Sequence, residues 1–339
     1  MNSDTLLPMS DFSIGVDLGG TNLRIAAVDT EGKLLEKVGL STKSSGPDHV
    51  VDEMCDAIHR LTNQYRAYGK LLGAGIGIPG IIDLEAGVVR RSANLKGWEE
   101  YPVRHEIEKR LGARICLEND AKLAALGEKW LGAARDVDDM AMITLGTGIG
   151  GAIVLGGKIF HGMNGMAGEF GHVTLEPEGV ACGCGNRGCA ERYASATALV
   201  RMAREAIAAG AAPALAKIAE SGTEFNAQAM YDLAMQGDEP AQRIFQRFGK
   251  ALGMMLADIV NVLNLGMYVI GGGVSSAWDA FSPAMFKELR ERSTIYMATA
   301  PESPESAVPS AATRGKTIIA RALLGSDAGL YGGARLPLL

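Results

Sequence analysis

Residues 13–29, SIGVDLGGTNLRIAAVD, contain two apolar runs on either side of a glycine turn. This is the pattern of a β-hairpin. Residues 141–161, AMITLGTGIGGAIVLGGKIFH, repeat the same order of apolar strand, glycine turn and apolar strand. A duplicated strand-turn-strand unit makes it improbable that either turn is incidental. We therefore expect an α/β protein whose two parts begin alike.

Each glycine turn can present backbone amides to a phosphate, because glycine lets the backbone approach a ligand closely. For either turn taken alone, a plain β-turn is the simpler alternative. Asp17 ends the first strand beside its turn and suits Mg²⁺ bound through water. The second unit has Thr144 at the equivalent position, so this carboxylate occurs once. A dinucleotide fingerprint at Gly146, Gly148 and Gly151 is excluded because a strand, and not a helix, follows it.

A strand-to-helix junction carries a second candidate carboxylate. The strand-like run ARICLE at 113–118 ends in Asn119-Asp120, where the helical run DAKLAALGEKWL begins. An acid at this point is commonly a helix N-cap. The carboxyl end of a strand is also where α/β proteins place catalytic groups, so both interpretations stand. Asn94, four residues before Trp98, is similarly open, since an amide near an aromatic ring serves either sugar binding or packing.

The composition excludes several classes of protein. The 339 residues exceed what one hydrophobic core usually serves, which predicts two domains. The formal charge of −6 argues against nucleic acid as a partner. No apolar run reaches the roughly 18 residues of a membrane span, and the first residues lack the basic and apolar regions of a signal peptide. We expect a cytoplasmic protein that is not bound to membranes.

Residues 165–191, GMAGEFGHVTLEPEGVACGCGNRGCAE, combine a histidine with a compact group of cysteines. In a reducing cytosol such thiols are better metal ligands than disulfide partners. Three thiolates and one imidazole make a tetrahedral zinc site, formed here by His172, Cys182, Cys184 and Cys189. Two carboxylates, Glu169 and Glu191, lie at the edges of this group. The remaining cysteines, Cys55 and Cys116, lie among apolar residues and are expected to be buried thiols.

These motifs together indicate phosphoryl transfer to a neutral polar acceptor, with amides and Mg²⁺ holding nucleotide phosphates and a carboxylate taking the acceptor's proton. At this point the chain resembles the ROK family (repressor, open reading frame, kinase) of the actin-like ATPase superfamily. Five stretches carry the resemblance in the family's order: DLGGT at 17–21, ND at 119–120, LGTGIGGA at 145–152, AGEFGH at 167–172 and CGCGNRGCAE at 182–191. The continuation ERYASATALV is most similar to the bacterial glucokinases of the group.

The resemblance implies an ATP-dependent hexose kinase that converts glucose to glucose 6-phosphate. It implies that Asp120 is the general base toward the sugar hydroxyl. The residues that would contact the sugar are Asn94, Asn119, Asp120, Glu169, His172 and Glu191. The residues that would surround MgATP are Asp17, Gly19, Gly20, Thr21, Gly146, Thr147, Gly148 and Gly272. The Zn²⁺, with four protein ligands and no open position, would be structural.

The resemblance also implies the actin-like ATPase (ribonuclease H-like) fold, an α/β fold of two domains around a central cleft. Residues 1–119 and 326–339 would form a small domain, and residues 120–325 a large domain with the zinc-binding loop. Family members are commonly dimers or tetramers, so we expect a homo-oligomer. Residues 299–314, rich in Pro, Ser and Ala, should form an exposed, mobile loop that is longer than the family's usual connection.

Three alternatives stand beside glucose phosphorylation. The acceptor could be mannose, N-acetylmannosamine, N-acetylglucosamine or fructose, because the implied contacts recognise hydroxyls that several hexoses share. A sugar-sensing regulator without catalysis is the second alternative, although no helix-turn-helix module precedes residue 13. A zinc-dependent hydrolase is the third, and it requires an open position on the metal.

Overall fold

The computed structural model describes residues 10–42, 46–92, 95–220, 225–304, 307–310 and 313–339. Asn94, one of the expected sugar-binding residues, lies outside the described residues. The chain divides into two compact units. The first unit comprises the described residues up to Asp138, together with Ile153–Ala167 and Ser326–Leu339, and the second comprises Asp139–Ala152 and Gly168–Gly325.

Strands and helices alternate along much of the chain, as the sequence predicts. The strands are β1 (Phe12–Leu18), β2 (Asn22–Asp29), β3 (Leu34–Ser41), β4 (Leu71–Ile78), β5 (Ile81–Asp83), β6 (Val88–Arg91), β7 (Ile115–Asn119), β8 (Met140–Leu145), β9 (Ile149–Leu155), β10 (Lys158–Ile159), β11 (Met267–Gly271) and β12 (Ile318–Arg321). The helices are α1 (Pro47–Gln64), α2 (Val103–Leu111), α3 (Asp120–Trp130), α4 (Ala196–Ala208), α5 (Pro213–Glu220), α6 (Ala227–Met235), α7 (Glu239–Leu263), α8 (Trp278–Arg292), α9 (Thr294–Thr299) and α10 (Ala328–Arg335). Of these elements, β3, β5, β6, α5 and α9 are not predicted from the sequence.

The two large sheets have the same strand order. The first runs β3-β2-β1-β4-β7 and the second runs β10-β9-β8-β11-β12. Each sheet therefore reads third, second, first, fourth, fifth when its own strands are counted along the chain. β4 and β7 continue parallel to β1, as β11 and β12 continue parallel to β8. The repeat seen in the sequence is thus a repeat of the sheets, and it confirms the α/β class.

The first sheet is covered by helices on both faces. Every residue of β1 is buried except Asp17, which is partly exposed. α1 covers one face, where Met54 belongs to the same core cluster as Ile14. α10 covers the other face, because a Cβ placed on Gly15 would lie 1.9 Å from the carbonyl oxygen of Leu330. The central strand of this sheet is therefore enclosed on both faces.

α3 belongs to the first unit, whereas the sequence analysis placed residues from 120 onward in the large domain. The reason is its packing against α10, which is distant in sequence. A Cβ placed on Gly332 of α10 would lie 1.8 Å from the carbonyl oxygen of Leu123 in α3, so the two helices touch backbone to backbone. At the other end of α3, the guanidinium of Arg335 lies 5.4 Å from the ring centre of Trp130.

α7 forms much of the core of the second unit. Its 25 residues bury an apolar face that includes Phe245, Phe248 and Leu252. The ring of Phe248 meets that of Phe281 in α8 with 5.2 Å between centroids. This aromatic contact joins α7 to α8 in the core of the second unit.

The segment 299–314 differs in part from its expected exposure. Within its described residues Val308 is 64% exposed, but Pro301 and Pro304 are buried. The expectation of a uniformly exposed loop is wrong at these two prolines, whose apolar rings are removed from water. Among the described helices, none combines the length and the apolar character needed to cross a membrane.

Candidate functional site

The junction between β7 and α3 fixes Asn119 and Asp120. Oδ1 of Asn119 accepts hydrogen bonds from the backbone amides of Ala121 and Lys122, at 3.0 and 3.4 Å, which makes Asn119 the N-cap of α3. Asp120 is the first helical residue, and its Oδ1 accepts from the same Ala121 amide at 2.9 Å. The capping role that the sequence left open for Asp120 is thus filled by its neighbour. Asp120 lies half-buried at a helix N-terminus, where negative charge is favoured.

A pair between a buried carboxylate and a partly exposed histidine lies beside this junction. Glu118 is 2% exposed, and its Oε2 lies 2.6 Å from Nε2 of His161 in the segment that follows β10. Two residues after Asp120, the buried ammonium of Lys122 donates to the carbonyl of Gly165 in the same segment. Neither contact is predicted from the sequence. The available signal was a charged residue at a buried position of an apolar strand or helix, which demands a partner.

Asp17 lies on the same edge of the first sheet as this junction. Asp17 and Glu118 both pair with Gly77 of β4, so the three form one row across neighbouring strands. The Asp17 carboxylate, 19% exposed, forms an ion pair with Arg24, which lies opposite it on β2. Arg24 was missed at the sequence level, although its register across the short hairpin could have revealed it. The carboxylate proposed for Mg²⁺ is therefore already held by a cation.

The first glycine turn, 19–21, is closed by backbone and hydroxyl contacts. The amide of Gly19 donates to the carbonyl of Asn22 at 2.8 Å. The hydroxyl of Thr42 donates to the carbonyl of Gly19 at 3.1 Å. Gly20 and Thr21 are exposed, so their backbone is accessible to a ligand.

The second glycine turn, 146–148, is attached to the start of α4. The Gly146 amide donates to the Gly148 carbonyl at 3.0 Å, and the Ala196 amide donates to the Gly146 carbonyl at 2.9 Å. The hydroxyl of Thr197 donates to the carbonyl of Thr147 at 2.7 Å. These bonds fix the turn to the first residues of α4.

The third glycine turn follows β11, next to the second. Gly271 pairs with Thr144 in the register of β11 and β8, so both turns lie at one edge of the second sheet. Gly272 has φ +82° and ψ 170°, a region that is essentially restricted to glycine. A Cβ on Gly272 would also lie 2.5 Å from the carbonyl oxygen of Leu145. Close packing of the two turns therefore requires this glycine.

The histidine and the three cysteines of the expected metal site come together. One ligand atom from each of His172, Cys182, Cys184 and Cys189 lies within 4.8 Å of the others. Nδ1 of His172 lies 3.8 Å from Sγ of Cys182, and the sulfurs of Cys184 and Cys189 are 3.7 Å apart. The loop is tight, since the amide of Cys182 donates to the carbonyl of Asn186 at 2.8 Å. The geometry agrees with the four ligands proposed from the sequence.

The donor chemistry fits zinc. A tetrahedral ion with bonds of about 2.3 Å to sulfur separates two sulfur ligands by about 3.8 Å, close to the observed spacing. Burial raises the pKa of the Cys189 thiol to about 12, so its thiolate needs a positive charge nearby. The backbone amide of Asn186 lowers the pKa of Cys184. The cluster is compatible with a structural Zn²⁺.

The two acids beside the cluster differ in their contacts. Oε2 of Glu169 lies 3.9 Å from Nε2 of His172, and the Glu169 side chain is 59% exposed. Nε2 of His172 is thus the nitrogen that faces away from the cysteines. Oε2 of Glu191 accepts a hydrogen bond from the amide of Ile149 at 3.0 Å, a contact that the sequence analysis missed.

The expected site residues are distributed over both units. The first unit carries Asp17, Gly19, Gly20, Thr21, Asn119 and Asp120, and the second carries Gly146, Thr147, Gly148, Glu169, His172, Cys182, Cys184, Cys189, Glu191 and Gly272. Within each unit, the residues gather at strand ends and in the loop that holds the cysteines.

Comparison with known proteins gives a consistent result. A profile of the ROK family matches residues 13–333. A glucokinase of Halalkalibacterium halodurans is 36% identical over 97% of this chain and 96% of its own length. A glucokinase of Thermotoga maritima is 40% identical over 84% of this chain and 87% of its own length. The similarity thus extends over most of the sequence and includes the glycine turns and the cysteine loop.

Solved structures and other relatives extend the comparison. The structure of a ROK family glucokinase from Streptomyces griseus in complex with glucose and AMPPNP has a TM-score of 0.77 and 33% identity, covering 96% of this chain and 98% of that one. A xylose repressor of Bacillus subtilis is 28% identical over 83% of this chain and 69% of its own length. The expected actin-like ATPase fold is therefore confirmed, and this chain belongs to the ROK family.

Proposed function

We propose that this protein transfers the γ-phosphoryl group of ATP to a hexose, with glucose the favoured acceptor and glucose 6-phosphate the product. The observation that carries the proposal is the position of Asp120 at the first residue of α3, with Asn119 and not Asp120 supplying the helix cap. Asp120 is therefore not the N-cap of α3, and its carboxylate lies at the helix N-terminus, where it accepts the Ala121 amide at 2.9 Å. The glucokinases among the relatives support the hexose kinase class.

Asp120 would act as the general base. The sugar hydroxyl oxygen forms a bond to the γ-phosphorus, the bond from that phosphorus to the bridging oxygen breaks, and ADP leaves with the electron pair. Because a sugar hydroxyl is a weak acid, its proton moves late, to the Asp120 carboxylate. The Ala121 amide, which donates to Oδ1 at 2.9 Å, fixes the orientation of this carboxylate. General-base catalysis of this kind contributes about 10²- to 10⁴-fold to the rate.

Sugar recognition would use carboxylates and amides, since each carboxylate can accept hydrogen bonds from neighbouring hydroxyls. Glu169 is well exposed for this purpose, and Nε2 of His172 faces away from the cysteines. Oδ1 of Asn119 is committed to capping α3, so its amide Nδ2 would be the group that meets the sugar. Asn94 and Glu191 would complete the set.

Nucleotide binding would use the three glycine turns. The exposed Gly20 and Thr21 and the turn 146–148 would present backbone groups to the phosphates. Gly272 would support the second turn by close packing against Leu145. Asp17 would hold Mg²⁺ through water, because its carboxylate is already paired with Arg24. Bound Mg²⁺ would neutralise charge on the phosphates.

Zinc would stabilise the loop that carries Glu169 and Glu191. With His172 and three cysteines as ligands the ion has no open position, so a zinc-dependent hydrolase is disfavoured. Zinc would supply folding free energy, which for such sites is about 10 to 16 kcal/mol in isolated fingers. We also propose, from the family, a cytoplasmic homo-oligomer, either a dimer or a tetramer.

A sugar-sensing regulator is the competing function, because xylose repressors are among the relatives. The regulator needs sugar binding without turnover, and it has no use for a base at Asp120. Phosphoryl transfer itself therefore separates the two functions.

The experiment is a panel of hexoses with MgATP, in which ADP release is measured together with the sugar phosphate. The panel contains glucose, mannose, N-acetylmannosamine, N-acetylglucosamine and fructose. We expect the highest kcat/KM with glucose. Turnover of another hexose but not glucose contradicts the favoured acceptor, and binding without turnover of any hexose contradicts the kinase.

A further inference from the structure

The carboxylate of Glu191 joins two parts of the second unit that have separate roles in the proposed function. Its Oε2 accepts the amide of Ile149 at 3.0 Å. Ile149 directly follows the glycine turn 146–148, and Glu191 lies two residues beyond the metal ligand Cys189. Glu191, which would contact the sugar, therefore also binds the backbone directly after the glycine turn that would contact the nucleotide.

The glycine at position 148 is explained by the contact between Glu191 and Ile149. A Cβ placed on Gly148 would lie 2.1 Å from Oε2 of Glu191. The carboxylate thus occupies the space that any other side chain would need. Gly148 is not among the residues with positive φ, so its backbone conformation does not by itself require glycine. The close approach of Glu191 accounts for the glycine at this position.

The rest of the turn is held by the same short segment. The amide of Ala196 donates to Gly146 and the hydroxyl of Thr197 donates to Thr147. Together with the bond from the Ile149 amide to Glu191, these contacts attach Gly146, Thr147 and the residue that follows the turn to residues 191–197. The other carboxylate oxygen of Glu191, Oε1, makes no hydrogen bond among the described residues. It can accept a hydroxyl while Oε2 keeps the amide.

We propose that Glu191 is a positioning residue for the nucleotide and that it couples nucleotide binding to sugar binding. The inference rests on the proposed function, since it requires a sugar hydroxyl at Oε1. Sugar then fixes the Glu191 side chain, and this side chain orders the turn before the phosphates arrive. Because coupling free energies are reciprocal, each ligand binds more tightly in the presence of the other.

The test measures the affinity for MgAMPPNP by calorimetry, with and without glucose. Glu191→Ala removes both oxygens, so we expect nucleotide affinity to fall about tenfold, as for loss of a hydrogen bond to a charged acceptor. Glucose should then no longer change that affinity. Glu191→Gln keeps an oxygen that accepts the Ile149 amide, so its nucleotide affinity should stay within about threefold of wild type, while KM for glucose rises.

Gly148→Ala provides a second route to the same state, because the new Cβ would displace the carboxylate. The double variant Gly148→Ala, Glu191→Ala should bind MgAMPPNP no more weakly than the weaker single variant, since both changes break one contact. Gly266→Ala is the matched control, because no atom lies within 4 Å of a Cβ there. Zinc content and thermal midpoint verify that each variant is folded.

Three results would overturn the inference: wild-type nucleotide affinity in Glu191→Ala, equal losses in Glu191→Gln and Glu191→Ala, or additive losses in the double variant. Failure of the proposed function has a different signature. Wild-type protein that phosphorylates no hexose refutes the kinase, while the MgAMPPNP affinities still decide whether Glu191 positions the turn. Wild-type protein that binds no MgAMPPNP refutes both.

Discussion

Nε2 of His161 lies 2.6 Å from Oε2 of Glu118, a carboxylate with a side chain only 3% exposed. The pair ties the segment after β10 to the residue that precedes the Asn119-Asp120 junction. A buried acceptor that loses its partner carries the full cost of its own desolvation. The stability of the first unit should therefore depend on His161.

His161→Ala should lower the free energy of unfolding by about 1 to 3 kcal/mol, because Glu118 is left without its side-chain partner. Urea denaturation measures the change, and His161→Gln, which keeps a donor, should lose less. His49→Ala is the control, since His49 is 61% exposed and lies 3.6 Å from Glu53; exposed pairs contribute under about 1 kcal/mol. Equal stability of His161→Ala and His49→Ala would contradict the role of His161 as the partner of the buried Glu118 carboxylate.

Gly272→Ala should damage the second unit far more than Gly273→Ala. Gly272 has φ +82°, and a non-glycine residue in such a region costs about 1 to 3 kcal/mol. The collision with Leu145 adds to this strain. For Gly273, no atom lies within 4 Å of a Cβ. Thermal unfolding should show a lower midpoint for Gly272→Ala alone, and equal midpoints would show that the turns do not pack as described.

Cys189→Ser should abolish zinc binding, because Cys189 is a fully buried member of the cluster. Metal analysis of purified protein measures bound zinc, and the thermal midpoint should fall with it. Cys55→Ser is the control. Burial raises the pKa of the Cys55 thiol to about 11, which disfavours the thiolate that a metal requires, so this variant should keep its zinc. Retention of zinc by Cys189→Ser would exclude the four-ligand site.

Glu288→Gln should reduce stability in a pH-dependent way. Burial raises the pKa of Glu288, but hydrogen bonds from Arg292 and Lys250 outweigh it and hold the pKa below the usual range. A carboxyl with a lowered folded-state pKa stabilises the fold above its unfolded pKa, and the effect is lost as pH falls through the folded pKa. At pH 7 the variant should lose about 1 kcal/mol, and the difference from wild type should disappear in acid.

Glu239→Gln is the control for this pH dependence. Glu239 in α7 lies 3.2 Å from Arg243, four residues later, as Glu288 in α8 pairs with Arg292. The Glu239 side chain is 79% exposed. The free energy of unfolding of Glu239→Gln should equal that of wild type at neutral and at acid pH, because exposed pairs contribute little. If the difference in free energy of unfolding between Glu288→Gln and wild type stays constant down to acid pH, the pKa of Glu288 is not lowered.

Most elements of the fold could be predicted from local sequence patterns. The glycine turns, the alternation of strands and helices and the cysteine loop were all visible in short windows, because each depends on neighbouring residues. The repeat of residues 13–29 at 141–161 predicted that the two parts begin alike, and the structure extends this likeness to the order of all five strands in each sheet. The short helices α5 and α9 offered too few turns for a 3.6-residue period to be recognised.

The parts that escaped prediction depend on residues distant in sequence. The packing of Gly332 on Leu123 places α3 in the first unit, and no residue near position 120 predicts this packing. Contacts such as Glu118 with His161 and Glu191 with Ile149 likewise join segments some forty residues apart. Charge at a buried position shows that a partner exists, but the fold decides which residue it is.

The central claim, phosphoryl transfer with Asp120 as the base, is tested most directly by comparing wild type with Asp120→Asn in MgATP and glucose. Wild type should form glucose 6-phosphate, and kcat should fall about 10²- to 10⁴-fold in the variant. The thermal midpoint should change little because Asn119 caps α3, and glucose affinity should change little because the asparagine side chain still accepts a hydrogen bond from a hydroxyl. Undiminished kcat in Asp120→Asn, or a wild type that binds glucose without phosphorylating it, would contradict the account.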